Sequence, residues 1–485
     1  MGSRDPLTDR TPGIPTGALA LSEDEMRVLG YRVVDLVVDH LARIREEPAA
    51  RRGSRADLEA LLREPVPESG SDPRLVLDRV MREILPWTAR VDHPRFFAFV
   101  PGPGNYVGFL ADALASGFNV FAGTWLGASG PAMVELVTVD WLRQLCGLPP
   151  EARGLFVSGG SMANLTGLAV ARETKLGARV ADGVAYASDQ THSAVARAFR
   201  VLGLAPGQLR LLPVDHEFRL RPGDLARAVA ADRAAGRVPF CVVANAGTTN
   251  TGAVDPLVEL ADFCAAEGLW LHADAAYGGG AVLSQRGRLA LAGLERADSL
   301  ALDPHKWLFQ PFEMGCVLVR DGRLLAEVFR TRPDYLRDVH RAEEEEREVH
   351  FADLGVQLTR GFRALKLWMS LQVFGLASFR EAVERGIANA ELAEERITAS
   401  GMWRIVSPAR LGTVAFGWAP EGVSQGEADA VTHGLAEASL ADGFAFLSST
   451  VLRGRPALRI CALNPRTTEA DVVGTIERME KLARG

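Results

Sequence analysis

From about residue 90 onward, short apolar and β-branched runs alternate with stretches of helical period, and this constrains the fold of the 485-residue chain more than any other feature. The runs are Leu155–Val157, Gly183–Ala187, Pro239–Ala244, Leu269–Ala273, Ser299–Leu302 and Gly315–Val319. Strands that alternate with helices form a mainly parallel sheet with helices on both faces, so the expected class is α/β. Ligands of such sheets sit beyond the carboxyl ends of the strands. The polar residues that follow each run are therefore the first candidates for chemistry.

The flanking regions read differently. Residues 1–20, with Pro6, Pro12 and Pro15, read as a flexible tail. Ser22-Glu23-Asp24-Glu25 is a capping box opening a helix whose apolar stripe runs through Met26, Leu29, Val33, Val37, Leu41 and Ile44, with Pro48 as its stop. Helical stretches at Asp57–Arg63 and Pro73–Leu85 follow. Three short helices over 21–90 cannot enclose a core, so they are expected to pack on something else, a second subunit included. The main domain is expected over 91–375. A smaller α+β domain is expected over 376–485, with helices at Ala377–Ser400, near Gly426–Ala441 and at Glu469–Arg484. The acidic run Glu343–Glu346 reads as a solvated stretch.

Net charge is −7 and no long basic block occurs, so neither nucleic acid nor an anionic membrane is an expected partner. No apolar run approaches the ~18 residues of a membrane span, and the start shows no secretory or lipidation signal. The cytoplasm is the expected location. Five scattered cysteines without a C-x-x-C pair point to reduced, buried thiols, with no zinc site expected.

The strand ends carry the chemistry. After Val157 comes Ser158-Gly159-Gly160-Ser161 and then a helix. Small residues there either make a plain tight turn or let backbone N–H groups close on an anion at a helix N-terminus. After Ala187 comes a polar stretch ending at His192, whose ring either meets solvent or stacks on a flat ligand. After Ala244 comes Asn245-Ala246-Gly247-Thr248-Thr249, rich in hydroxyls. Asp274 ends an apolar strand, which is costly unless the carboxylate meets a cation. Leu302 leads into Asp303-Pro304-His305-Lys306-Trp307.

Lysine is scarce: of 54 basic residues only Lys175, Lys306, Lys366 and Lys481 are lysines. Lys175 and Lys481 lie in charged helical stretches, and Lys366 sits in a helix-like segment where it can snorkel. Lys306 alone follows a buried-looking strand, beside Trp307, where desolvation favours the neutral amine that attacks a carbonyl. An anion cradle, a stacking ring, hydroxyl donors, a carboxylate and such a lysine are together what pyridoxal 5′-phosphate (PLP) requires. Its phosphate takes the turn, its pyridine nitrogen a carboxylate and its aldehyde a lysine.

Residues 299–320, SLALDPHKWLFQPFEMGCVLVR, resemble the lysine segment of the group II pyridoxal-dependent amino-acid decarboxylases, which include the aromatic-L-amino-acid, histidine and glutamate decarboxylases. HPRFFAFVPG (93–102), SGGSMANLTGL (158–168), SDQTHSAVARA (188–198), NAGTTNTGAVDP (245–256), HADAAYGG (272–279) and GFRALKLW (361–368) add to it. The resemblance runs from about residue 25 to 480 and is densest between 90 and 370. It implies a fold-type-I PLP enzyme with a mainly parallel sheet of the seven-stranded type, an N-terminal helical segment and a small C-terminal α+β domain. It also implies a homodimer whose active site is shared between subunits.

Residue by residue, the resemblance implies that Lys306 holds the cofactor aldehyde, Asp274 pairs with the protonated ring nitrogen and Ala276 lies under the ring. His192 stacks over the ring and helps hold the substrate carboxylate, and Thr249 lies near the ring. Gly160, Ser161, Asp303 and His305 surround the phosphate. Asp303 stands where some members carry Asn, and an Asp there needs a proton or a cation between it and the phosphate. Residues 329–338, FRTRPDYLRD, resemble the family's loop, with Tyr335 matching the tyrosine thought to protonate the substrate α-carbon. Relatives with Phe there tend toward oxidative decarboxylation–deamination, so Tyr335 with His192 favours plain decarboxylation.

The expected reaction is PLP-dependent decarboxylation of an L-amino acid to an amine and CO₂, an aromatic amino acid being the first choice of substrate. Phe99, Pro101 and Trp125 are candidates for the substrate pocket, though core packing explains such residues equally well. Gly123, which falls where animal aromatic decarboxylases carry Phe, leaves more room or marks a different substrate. Acidic, histidine or diamino-acid substrates, oxidative decarboxylation to an aldehyde, and a same-fold aminotransferase or lyase are the alternatives.

Overall fold

The computed structural model describes residues 19–331 and 348–484. Helix α1 (Glu23–Arg43) starts at the capping box, with Ser22 Oγ accepting from the Glu25 amide and the Glu25 carboxylate accepting from the Ser22 amide. Helices α2 (Arg55–Leu62) and α3 (Pro73–Arg79) are capped by Ser54 and Asp72. α3 does not run on to Leu85 as regular helix. It widens into a π turn at Val80–Ile84 and ends in a 3-10 turn at Leu85–Trp87, because Pro86 lacks the N–H for an α-type bond and crowds the preceding turn. None of the three helices buries a residue, and Met26, Tyr31, Leu75, Ile84 and Trp87 stand exposed.

Helices α4 (Tyr106–Gly117) and α5 (Trp125–Leu145) lead into the main sheet. Its strands are β1 (Arg153–Val157), β2 (Gly183–Ser188), β3 (Leu209–Leu212), β4 (Val238–Asn245), β5 (Trp270–Asp274), β6 (Ser299–Leu302) and β7 (Gly315–Val319), in spatial order β1-β7-β6-β5-β4-β2-β3. β3, β2, β4, β5 and β6 run parallel, and β7 is antiparallel to both β6 and β1. Helices α6 (Gly160–Leu176), α7 (Ser193–Val201), α8 (Pro222–Ala234), α9 (Leu257–Glu267), α10 (Gln285–Ala290) and α11 (Pro304–Trp307) connect the strands, and α12 (Arg323–Phe329) follows β7. Every residue of β5, β6 and β7 is buried. Leu300 and Leu302 face one core layer while Ala301 and Val317 face the other. Burial on both faces is why these strands read as unbroken apolar runs. β3 escaped the sequence reading because it is a short, half-buried edge strand with Arg210 inside it.

Helix α13 (Ala364–Ala399) begins earlier than its sequence pattern suggests. It is broken at Gly375 (φ 70°), so the stretch expected from 377 is its second arm. Strands β8 (Trp403–Arg410) and β9 (Thr413–Trp418), helix α14 (Gln425–Asp442), strands β10 (Ser448–Leu452) and β11 (Arg455–Cys461) and helix α15 (Glu469–Ala483) complete the chain, with the strands forming an antiparallel sheet ordered β10-β11-β9-β8. All five cysteines are free and buried. Among the described residues no helix is long and apolar enough to cross a membrane.

Candidate active site

The carboxyl ends of β1, β2, β4, β5 and β6 converge on one cavity of about 380 Å³. Gly160, Ser161, His192, Thr249, Asp274, Ala276, Asp303, His305 and Lys306 all line it. Lys306 is the one lysine in that lining. It sits on the single turn of α11 directly after β6, anchored by Trp307, which is fully buried and stacked on Tyr277 at 5.5 Å. Its Nζ lies 3.0 Å from Asp303 Oδ2, a carboxylate partner beyond the purely apolar setting expected for it. His305 Nε2 approaches the same oxygen at 3.6 Å, and its Nδ1 accepts from the Met314 amide. Burial lowers the pKa of His305.

The turn after β1 is shaped for an anion. α6 starts at Gly160 without a side-chain cap, so its first amides have no intrahelical acceptor. A Cβ at Gly160 would lie 2.8 Å from Asp303 Oδ2 and 2.9 Å from Ala276 Cβ. The cradle exists only because that side chain is absent. Asp303 Oδ1 is buried without a donor, an unmet acceptor at the edge of the cradle.

Asp274 ends β5 and lines the same cavity. Its Oδ1 accepts from the Ala276 amide at 3.2 Å and its Oδ2 from Asn164 Nδ2 at 3.1 Å. Behind it, His272 is wholly buried, with Nε2 2.7 Å from Asn164 Oδ1 and Nδ1 2.8 Å from Ser299 Oγ. His192 caps α7, its Nδ1 accepting from the Ala194 amide, and its ring is exposed beside the cavity.

Burial lowers His272 to about 4, and burial with the Arg95 charge lowers His93 to about 4. Both rings are neutral in the fold, whereas the unfolded chain takes up protons near 6.5. Stability is therefore complete above that pH and falls as pH drops toward 4, by about 3 kcal/mol per histidine. Asp255, raised by burial to about 6, binds its proton earlier when folded and so offsets roughly one of the two. The denaturant midpoint should hold from pH 8 to 6.5 and decline from there to pH 4. A midpoint that rises over that interval contradicts the assignment.

The matching family model is the pyridoxal-dependent decarboxylase conserved domain, over residues 56–419. The chain belongs to the pyridoxal-dependent decarboxylase family. Its members are carboxy-lyases that act on amino acids with PLP, and this decarboxylase is one of them. It is 46% identical to an aromatic-L-amino-acid decarboxylase of Bacillus atrophaeus, over 96% of this chain and 97% of that one. It is 31% identical to a phenylacetaldehyde synthase of Arabidopsis thaliana, over 93% of this chain and 94% of that one. A crystal structure of Oryza sativa TDC with PLP and tryptamine superposes with a TM-score of 0.92 at 29% identity, covering 97% of this chain and 99% of that one.

The cavity of this decarboxylase fits PLP. The bare Gly160 cradle suits a phosphate, a lysine amine stands inside the cavity, and a buried carboxylate held by two donors faces it.

The pocket candidates fare differently. Phe99, Pro101, Gly123 and Trp125 do not line the cavity within one chain. A Cβ at Gly123 would lie 2.5 Å from the Leu358 carbonyl, so packing, and not spare room, accounts for glycine there. Trp125 is tied by its amide to His350 Nδ1. Phe99 is exposed, at φ 54°, with its amide on Ser448 Oγ. Tyr335 lies outside the described residues.

Two residues at the site were not singled out in the sequence. Asn164 sits on the inward face of α6, one turn in from the cradle, and lines the cavity. Arg459 of β11 is buried, donating to the Thr249 carbonyl at 2.6 Å, the Phe99 carbonyl at 3.2 Å and Ser448 Oγ at 2.9 Å. Its only signal was an arginine inside the apolar stretch 456–461 of that strand.

Proposed function

We propose that this decarboxylase converts an aromatic L-amino acid to its amine and CO₂. The similarity to the Bacillus enzyme across nearly the whole of both chains carries this reading. An aromatic cluster close to the cavity supports it: Phe96, Phe99 and Phe446 pack at 5.5–6.4 Å, and Arg459 links the Phe99 backbone to that of Thr249 in the cavity wall.

PLP, when bound, supplies an electron sink for the pair left as the carboxylate departs. Lys306 presents the amine that holds the cofactor's carbonyl carbon. Asp274 keeps a proton on the ring nitrogen, which stabilises developing negative charge electrostatically. The amides of the α6 N-terminus bind the phosphate together with His305. His192, whose Nδ1 is engaged with Ala194, turns Nε2 toward the substrate carboxylate. Tyr335 gives a proton to the α-carbon. CO₂ release across a panel of aromatic, acidic, diamino and histidine substrates tests the substrate class. The expected result is a kcat/KM at least about tenfold higher for aromatics, worth ~1.4 kcal/mol of discrimination. A glutamate or histidine preference overturns it.

The phenylacetaldehyde synthase relative brings in a second outcome, an aldehyde product, and we assign the choice between the two to Tyr335. Wild-type chain should yield amine. Tyr335→Phe should divert product to aldehyde, ammonia and peroxide, measured by amine and peroxide assays in air. An unchanged amine yield removes Tyr335 from the mechanism.

The active form is a homodimer in this reading. Helices α1–α3 bury nothing, and Phe118, at the end of α4, and Leu126, in the first turn of α5, are 80% and 71% exposed. Apolar area of that kind is stable only when covered. The exposed Phe99 and half-buried Trp125 then remain the pocket candidates for a site completed by the second subunit, whereas Pro101 and Gly123 are buried. Sedimentation should give twice the 52.2 kDa chain mass, and a fully active monomer refutes the shared site.

A further inference from the structure

Behind the cavity wall four buried side chains form a chain of hydrogen bonds that ends on Asp274. Trp270 Nε1 donates to Ser299 Oγ at 2.8 Å, Ser299 Oγ lies 2.8 Å from His272 Nδ1, His272 Nε2 lies 2.7 Å from Asn164 Oδ1, and Asn164 Nδ2 donates to Asp274 Oδ2 at 3.1 Å. None of the first four is more than 4% exposed. The two termini dictate the direction. An indole N–H can only donate, and an ionised carboxylate can only accept. Asn164 must therefore turn its NH₂ to Asp274 and its carbonyl to His272. A neutral imidazole meeting that carbonyl must carry its proton on Nε2, which leaves Nδ1 to accept from the Ser299 hydroxyl. Ser299 keeps its lone pairs for Trp270. Reversing any link sets two acceptors against each other at 2.7–3.1 Å in a buried site.

We propose that Trp270, Ser299, His272 and Asn164 form a one-way hydrogen-bond relay that holds Asp274 as an acceptor-only carboxylate, making Asn164 and His272 positioning residues for the decarboxylation. The proposal rests on the reading that Asp274 partners the cofactor's ring nitrogen. The backbone accommodates the relay: a Cβ at Gly167, one turn beyond Asn164 on α6, would come within 2.8 Å of His272 Cε1 and 3.2 Å of Ser299 Oγ. Burial keeps His272 neutral near pH 7, as the relay requires. The other charged or titratable groups lining this cavity are Lys306, Asp303, His305, His192 and Tyr277. None of these five is a link in the relay.

The tautomer comes first. In the cofactor-free chain the imidazole ¹⁵N shifts of His272 should report a proton on Nε2, and a proton on Nδ1 overturns the proposal. Next, PLP labelled with ¹⁵N in the ring is bound to wild type, Asn164→Leu, Ser299→Ala and Asp274→Asn, and its ring-nitrogen shift is followed from pH 6 to 9. Wild type should stay protonated throughout. Asn164→Leu, which loses one hydrogen bond to a charged group, should titrate at least about one pH unit lower and lose roughly tenfold in kcat with KM little changed. Ser299→Ala, remote from the cavity, should move the titration in the same direction by less, and in the double variant should add almost nothing to Asn164→Leu. A wild-type titration in Asn164→Leu, or full additivity of the two, overturns the relay. Should Asn164→Leu not fold, Ser299→Ala alone decides, and an unshifted titration overturns it. Asp274→Asn separates the two readings: if that variant also leaves the ring nitrogen protonated, the role of Asp274 itself falls, whereas a shift there with none in the relay variants rejects only the relay.

Discussion

Replacing Lys306 with alanine is expected to abolish decarboxylation, with kcat falling on the order of 10⁴-fold or more, and to remove the near-visible absorbance of the bound cofactor. No other lysine can take over. Lys175 is held at the surface on the Gly268 carbonyl, Lys366 is committed to Asp112 and the carbonyls of Pro311 and Glu313, and Lys481 belongs to α15. Lys306→Arg is the informative companion. It keeps a cation near Asp303 but offers no amine able to hold a carbonyl carbon. Both variants should be colourless and inactive if Lys306 acts covalently. If Lys306→Arg retains turnover while Lys306→Ala does not, Lys306 matters only as the counter-ion of Asp303. Wild-type colour and rate in Lys306→Ala remove it from the chemistry altogether.

What the sequence disclosed and what it hid divide along a physical line. Lys306, Asp274, His192 and Gly160 were legible because each follows an apolar strand directly, and in a parallel sheet chain position then dictates which end of the sheet a side chain reaches. All four line one cavity. Asn164, Arg459 and Arg360 were not legible. Each is a polar residue within a helix, a strand or a loop whose partners lie far away in the chain: Asp274 is 110 positions from Asn164 and Thr249 is 210 from Arg459. Periodicity says that such a residue faces inward but not what it meets. The pocket aromatics fell between these cases. Phe99 belongs to a legible motif, yet its side chain stands 56% exposed, because local sequence does not set which side chains of a loop are buried.

Arg360→Ala should be among the most damaging substitutions outside the cavity. Arg360 and Glu135 are an ion pair buried to within 1% of full enclosure. Nη1 of Arg360 donates to Glu135 Oε2 and the Ala122 carbonyl, and Nη2 donates to Glu135 Oε1 and the Phe156 carbonyl. Glu135 in turn accepts from the Phe156 amide at 2.9 Å. The pair thus joins α5, β1 two residues before the cradle, and the backbone at Ala122, whose amide donates to the Arg360 carbonyl. Removing Arg360 leaves a buried carboxylate and two buried backbone carbonyls, those of Ala122 and Phe156, with fewer bonds, a loss of about 3–5 kcal/mol, whereas replacing both charges with apolar side chains of similar volume avoids the uncompensated charge. Arg360→Ala should therefore lower the denaturant midpoint sharply and weaken PLP binding, since the cradle begins at Ser158. The double variant Arg360→Met with Glu135→Leu should recover a large part of the stability and less of the PLP affinity, because the bonds to Phe156 stay lost. Equilibrium unfolding of wild type, single and double variants decides the point: a single-variant loss below about 1 kcal/mol, the scale of an exposed pair, would falsify the view that this pair anchors the cradle.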